Sequence, residues 1–445
     1  MSYTTSTLSI IDQDIEGGQK EFWYRTADTI QQVLATGYFT DALQKRMGIG
    51  DLVFVLSGTP ATATLTEGAA VFPNTVGLGG DFASAPTLQP CIVSSISAGA
   101  AMVVPCLSIP TDLADFPRNL IDGGDFTVNP WQRGTAINAI ANTLTYTADR
   151  FFAISGASAS VQVSKQANTD VAGFSQALQL QRSSTDTHTS GITLGQVFET
   201  IDSVRAQGLP VTLSFWAKAG ANFAAGSNGQ ITAMVSGGTG TDDSAANLVA
   251  GSWTTQASVI SSAQAITATM TRYSFTGTVP ATMTQLGVML AYTPAAGTTA
   301  GANEWVQFMG VQLEVGARAT NYEHQDAQIA LEIAQRYYYQ LNEGTTGQIG
   351  GVGSAFTAST GQIMIPLPVQ MRIAPTVTVS IGGFRLSDGA GTGHLISSAG
   401  SAATTHSVNA VGLNLTAAAT LTAGQTALLV GQTTNNGKIQ VSAEY

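Results

Sequence analysis

At 445 residues the chain is long enough for about three domains, each with a core of its own. Only 10% of residues are charged and 44% are hydrophobic, with short alternating runs of Val, Ile and aromatics throughout, which excludes a disordered polymer. The net charge of -11 and the lack of a Lys/Arg cluster exclude nucleic acid or an anionic membrane surface as the main partner.

The opening MSYTTSTLSIIDQDIEGG has neither a positive region nor a long apolar stretch. With no secretory signal and no membrane-length run, the chain is expected to be made in aqueous cytoplasm, without membrane insertion. Residues 1–110 predict a small α+β module. One helix follows Asp28 as N-cap, with Ile30, Val33 and Leu34 on one face, and a second, DALQKRM, follows Thr40 and stops at Gly48. DLVFVLSG (51–58) reads as a buried strand and 91–106 as a hairpin with a two-residue turn at Ala98 and Gly99. That turn sets Cys91 opposite Cys106, which allows a disulfide. The reducing compartment and Pro105 favour two reduced thiols instead. Residues 111–118, with Pro117 and no periodicity, read as a linker.

From 119 to 323 strands of six to ten residues alternate with Gly, Ser, Asn and Pro, the pattern of an antiparallel sandwich. Val211, Leu213, Phe215 and Ala217 share one face of their strand, and Thr212, Ser214, Trp216 and Lys218 share the other. Tyr273 with Phe275, and Leu286, Val288, Leu290 and Tyr292, repeat the alternation. One face of each sheet is expected in a core and one free. Residues 324–342 predict a connecting helix with Ile329, Ile333 and Arg336 or Tyr337 at helical spacing. Residues 343–445 predict a second, C-terminal β-sandwich, bent at Pro366, Pro368 and Pro375. The fold class is therefore mainly β with a small α+β N-terminal domain. No repeat of fixed period supports a β-helix.

Three segments in order carry a resemblance. NLIDGGDFTVNPWQRGT (119–135) with TYTADRFF (145–152), LPVTLSFWAKAG (209–220), and GVQLEVGARATNYEHQDAQIALEIAQRYYYQL (310–341) resemble the jelly-roll region of bacteriophage tail-fibre proteins, itself similar to carbohydrate-binding modules. The resemblance implies a virion fibre or spike, on tail or capsid, that is made in the host bacterium and displayed on the virion surface. It implies attachment to other virion proteins through residues 1–110, adhesion to host-surface glycan and assembly as a homotrimer. Related sandwiches hold a structural calcium with carboxylates near the first and last strands. Asp122 and Asp125 stand near the first, but Met309 and Gly310 replace the acidic pair on the last, so no metal is expected.

Neither HExxH, CxxC, GxSxG nor a phosphate-loop spacing occurs, and His188, His324, His394 and His406 are scattered. The acidic pairs Asp12/Asp14 and Asp242/Asp243 sit in loop-like sequence rather than in a glycosidase dyad. The sequence thus predicts no enzyme and no cofactor. Sugar binding needs an aromatic platform and polar neighbours. Trp216, beside Ser214 and Lys218, is the first candidate. In the competing reading its ring is covered by another subunit or by a second buried face. Trp305 with Gln307 is the second, on a strand that Val306 and Phe308 suggest is apolar on both faces. Trp131 and Trp253 have no assignable orientation. A capsid decoration protein without receptor binding and a polysaccharide depolymerase are the alternatives.

Overall fold

The computed structural model describes five strands among the first 105 residues, the helical residue Val33, and residues 119–445 apart from 140, 157–160, 224–228, 296–299, 343–348, 389–392, 401–405 and 433–436. Two compact units divide the chain, Met1–Phe116 and Pro117–Tyr445. The first contains one sheet of β1 (Leu8–Asp12), β2 (Glu21–Thr26), β3 (Leu52–Ser57), β4 (Thr87–Ser97) and β5 (Ala100–Pro105), in that spatial order. Only β2 and β3 run parallel, and a parallel neighbour requires a long crossover. The segment between them holds Val33, which is helical and buried. The rest of both predicted N-terminal helices, and the 111–118 linker, lie outside the described residues. The predicted turn at Ala98 and Gly99 lies outside the described residues; Ser97 pairs with Ala100, and a bulge between Val93 and Ser95 shifts the register of the hairpin by one. Pro105, not Cys106, therefore stands opposite Cys91, which corrects the expected cysteine pairing.

The second unit begins with a sandwich. Its strands are β6 (Ala136–Ala139), β7 (Thr145–Tyr146), β8 (Phe152–Ser155), β9 (Val161–Ala167), β10 (Gln176–Arg182), β11 (Ile192–Val197), β12 (Pro210–Ala219), β13 (Gln230–Gly238), β14 (Ala257–Ala265), β15 (Thr271–Thr278), β16 (Gln285–Tyr292) and β17 (Trp305–Val315). One six-stranded sheet has the order β15-β12-β17-β10-β9-β6 and the other β14-β13-β16-β11-β8-β7, all pairs antiparallel. Alternate residues of the longer strands enter a common core that includes Val211, Leu213, Phe215, Leu286, Val288 and Leu290.

The expectation of a free second face fails in two places. Behind β16, Met289 joins Phe152 and Val197 beneath Ala245, Leu248 and Trp253, so this strand is buried on both sides. The cover is the short helix α2 (Ala245–Ala250), which follows α1 (Thr200–Ser203). Ser244 caps α2 and Gly251 ends it at φ 69°. On β12, Thr212 and Ser214 lie under the chain that leaves β17. Thr212 Oγ1 donates to Gly316 O at 2.8 Å, and Arg272, whose Nη2 donates to Ser214 Oγ at 3.1 Å, also reaches Thr320 O.

The connecting helix α3 (Ala327–Gln335) is capped by Asp326 and is shorter than predicted. Its buried residues are Ala330 and Ala334, while Ile329 is 53% exposed, so the predicted isoleucine stripe is not the packed side. Tyr338–Asn342 is a strand, β18, because the tyrosine-rich run pairs with the last strand, β26 (Lys438–Ser442). β18, β26 and β21 (Thr376–Ser380) form a small sheet. β19 (Ile349–Ala355), β20 (Thr360–Pro366), β22 (Phe384–Asp388), β23 (Gly393–Gly400), β24 (Ala410–Ala417) and β25 (Thr426–Gly431) close into a barrel, where the sequence predicts a C-terminal β-sandwich. Closure needs close backbone approach at Gly353, where a Cβ would stand 1.7 Å from Gln362 O.

Sandwich and C-terminal strands meet at buried charge. Arg150 Nε pairs with Asp122 at 3.1 Å, its Nη1 pairs with Glu444 at 3.1 Å, and its Nη2 donates to Val197 O at 2.8 Å. The Tyr337 ring lies against the guanidinium, 3.4 Å from centroid to carbon. Arg133 bridges Asp149 and Glu444 at 3.2 and 3.1 Å. Burial pushes the Asp149 carboxyl up to about 6, against the pull of Arg133. A carboxyl that holds its proton more tightly when folded stabilises the fold fully below the unfolded value of 3.8, and this contribution is lost as pH rises through 6. Thermal unfolding of wild type and Asp149→Asn between pH 4 and 7 checks this. The stability of wild type relative to the variant should fall by about 1–3 kcal/mol across that range.

Candidate functional site

The outer face of the β15-β12-β17-β10-β9-β6 sheet remains partly open between the covered end of β12 and the edge strand β6. Apolar residues alternate there with carboxamides. Leu178 and Leu180 enter the core while Gln179 and Gln181 point outward, and Val161 and Val163 do so while Gln162 and Ser164 point outward. Antiparallel register aligns them in two rows. Lys218, Gln307, Gln179, Ser164 and Ala136 form one, and Trp305, Gln181, Gln162 and Asn138 form the next.

The amides are joined. Gln307 Nε2 donates to Gln179 Oε1 at 2.8 Å, Gln179 Nε2 to Gln181 Oε1 at 2.8 Å, and Gln181 Nε2 to Ala302 O at 3.0 Å. Gln162 Nε2 donates to Asn138 Oδ1 at 3.1 Å. Gln307, Gln179 and Ser164 are buried in the middle of the row, while Lys218 is half-buried and Ala136 exposed at its ends. Gln307 Oε1 is sealed from solvent without a hydrogen-bond partner, a cost of about 1–3 kcal/mol for an unmatched acceptor. Trp305 lies over Gly220, where a Cβ would stand 2.6 Å from its indole and 2.2 Å from Asn303 O.

The predicted residues Ser214, Trp216, Lys218 and Trp305 all lie on this outer face, but Ser214 is on its covered part and is not available with the others. Ser214, two residues from Trp216, is fully buried beside Arg272. Trp216 is half-buried, with Phe174 5.1 Å away and the Arg272 guanidinium carbon 4.6 Å from its ring centroid. Gly310, at φ 55°, gives room to both rings. Phe174 also packs on Tyr322 and His324, at 5.2 and 5.0 Å, so Trp216 closes an aromatic cluster. Lys218 pairs with Asp170 on the turn between β9 and β10. Val306 and Phe308 both point into the core, which corrects the expectation of two apolar faces and leaves the outer side of β17 to Trp305 and Gln307. Sequence reasoning missed Gln162, Gln179 and Gln181, although the polar alternation of Gln162, Ser164 and Gln166, and of Gln179 and Gln181, was the signal.

The remaining candidates are accounted for by local contacts. Trp131 and Trp253 are buried, their indoles donating to Phe126 O and Ser244 O. Asp122 is bound to Arg150, and Asp125 accepts from Thr127 N and contacts His324 Nδ1 at 2.8 Å. Asp242 accepts from Thr200 N, and Asp243 N donates to Gln285 Oε1. The side chains of Asp12 and Asp14 lie outside the described residues. His188 and His394 contact Asp186 and Asp388, in separate places. A second cleft, lined by Glu199, Asp202, Arg205 and Arg336 among others, has these charges paired as Arg205–Asp202 and Arg336–Glu199.

No family profile matches the sequence, and no curated protein sequence matches it. Solved structures similar to part of the chain include the enzymatically active domain of tailspike protein 4 from bacteriophage CBA120. It is 11% identical with a TM-score of 0.26, covering 45% of this chain and 22% of that one. A family 61 carbohydrate-binding module in complex with β-1,4-galactotriose is 10% identical with a TM-score of 0.25, over 45% of this chain and 100% of the module. The C-terminal family 22 carbohydrate-binding module of Clostridium thermocellum Xyn10B is 13% identical with a TM-score of 0.23, over 38% and 89%.

Replacing Gly220 by Ala places a methyl group against the Asn303 carbonyl and the Trp305 indole. The variant should lose about 1–3 kcal/mol in urea unfolding, as overpacked sites do, and its tryptophan emission should shift as Trp305 is displaced.

Proposed function

We propose that this chain is a non-enzymatic bacteriophage fibre or spike protein that holds host-surface glycan on the carboxamide face of its sandwich. The observation that carries the reading is the row of coupled glutamines beside Trp305. A half-buried ring and a dense set of fixed amide donors and acceptors suit a pyranose, apolar on its faces and hydroxylated around its rim. The face favours binding over cleavage. Hydrolysis uses two carboxyl groups flanking one glycosidic bond, whereas among the described residues of these two rows none is acidic and the nearby Asp170 is bound to Lys218.

The virion role rests on the ordered resemblance across 119–341. In this reading residues 1–110 attach the protein to tail or capsid, the sandwich projects from the virion surface, and three copies assemble. The test uses the purified full chain on an array of bacterial surface polysaccharides, with antibody labelling of virions from the same phage. Wild type should bind at least one polysaccharide, and Trp305→Ala should weaken binding about tenfold or more, the scale of a lost aromatic platform of about 1.5 kcal/mol. Label should appear on tail or capsid. Release of reducing ends from a bound polysaccharide would overturn the non-enzymatic assignment, and unlabelled virions would overturn the virion role.

A further inference from the structure

The hydrogen-bonding sense of the carboxamide row restricts what it can hold. Gln307 is only 7% exposed, and its amino group is committed to Gln179, so what it presents is the oxygen, which has no partner. A buried acceptor without a donor is matched by a ligand group that brings a hydrogen: a hydroxyl, not a carboxylate. The neighbour across the strand pair, Lys218, is the cation of these two rows, and its amine is held by Asp170. That ion pair is partly solvated, with side chains 22% and 38% exposed, so the Lys218 arm beside Gln307 can be displaced without exposing a buried charge. An acidic sugar at these rows would meet the Gln307 oxygen and the Asp170 carboxylate, with Lys218 already neutralised and Arg272, the next cation of the face, turned to Ser214, Thr320 O and the Trp216 ring, on a chain of net charge -11.

We propose that the face selects neutral glycans, with a ligand hydroxyl donating to Gln307 Oε1, and discriminates against uronic and sialic acid polymers. This deepens the glycan-binding reading and rests on it. Gln307 is then the residue that sets specificity, and Trp305, in the adjoining row, supplies a sequence-tolerant stacking surface.

The experiment measures binding of the full chain to neutral glucan, galactan and mannan, and to the same polymers after oxidation of their primary alcohols to carboxylates, at low and at high salt. At least one neutral polymer should bind, and its oxidised form should bind at least tenfold more weakly at both salt concentrations. Gln307→Met, which keeps the length of the side chain and removes the acceptor, should weaken neutral binding about tenfold. Equal or tighter binding of the oxidised polymers, or full affinity in a folded Gln307→Met, overturns the selectivity and leaves glycan binding standing. Failure of wild type to bind any polymer, neutral or oxidised, removes both. Should Gln307→Met not fold, the comparison of neutral and oxidised polymers on wild type decides alone.

Discussion

Side chains leave a β-strand alternately to two sides, so a sandwich of two sheets has four faces and only two of them meet in the common core. What becomes of the other two decides this molecule. Behind β16 the outer face is apolar at Met289 and is covered by α2 and Trp253, which makes that part of the sheet a three-layer region. On the other sheet the outer face is split. The end of β12 bearing Thr212 and Ser214 is sealed by the chain leaving β17, and the region from Lys218 to Asn138 carries amides instead of apolar groups. Carboxamides can satisfy one another across strands, which lets such a face do without an apolar cover or stranded charge, with the Gln307 oxygen alone of this amide chain left unmatched.

The buried charges at the base of the sandwich serve a different end. Arg150 and Arg133 both reach Glu444, and Tyr146 OH donates to Tyr445 O, so the strands that follow α3 are held against the sandwich by groups that must be paired to be buried at all. Asp122 also has its carboxyl held above the ordinary range by burial, in spite of Arg150 beside it. A guanidinium flanked by carboxylates and a tyrosine ring accepts very few orientations, whereas apolar packing alone would allow the C-terminal strands to slide. The aromatic run at 337–339 takes part directly, with Tyr337 against Arg150 and Tyr338 against Arg133.

Much of the sandwich was legible because its inward residues are consistently apolar. Val211, Leu213 and Phe215 alternate without a break, and so do Leu286, Val288 and Leu290. The places that misled have identifiable causes. QRYYYQL continues a helical pattern, but β26 offers hydrogen bonds across its whole length and the tyrosines fit a strand, so tertiary pairing prevails over local period. Cys91 and Cys106 are symmetric about their turn only until a bulge adds one residue to one arm. Trp216 was assigned to the correct face, yet its surroundings come from Phe174 and Arg272, far away in sequence, and no spacing rule reveals them. The glutamines were legible in principle, being polar at every second position, but an amide on a strand looks like ordinary solvent-facing filler until the register shows that four strands place theirs side by side.

The Ala302 carbonyl, at the far end of the amide row, has a part larger than its size. A backbone carbonyl only accepts, so it obliges Gln181 to turn its amino group toward it and its oxygen inward, which in turn fixes Gln179 and then Gln307. The three side chains behave as a line of dipoles with one permitted polarity, set by a loop rather than by any of the glutamines themselves. Movement of that loop would release the polarity of the whole line and exchange an accepting surface for a donating one without altering a single residue on it.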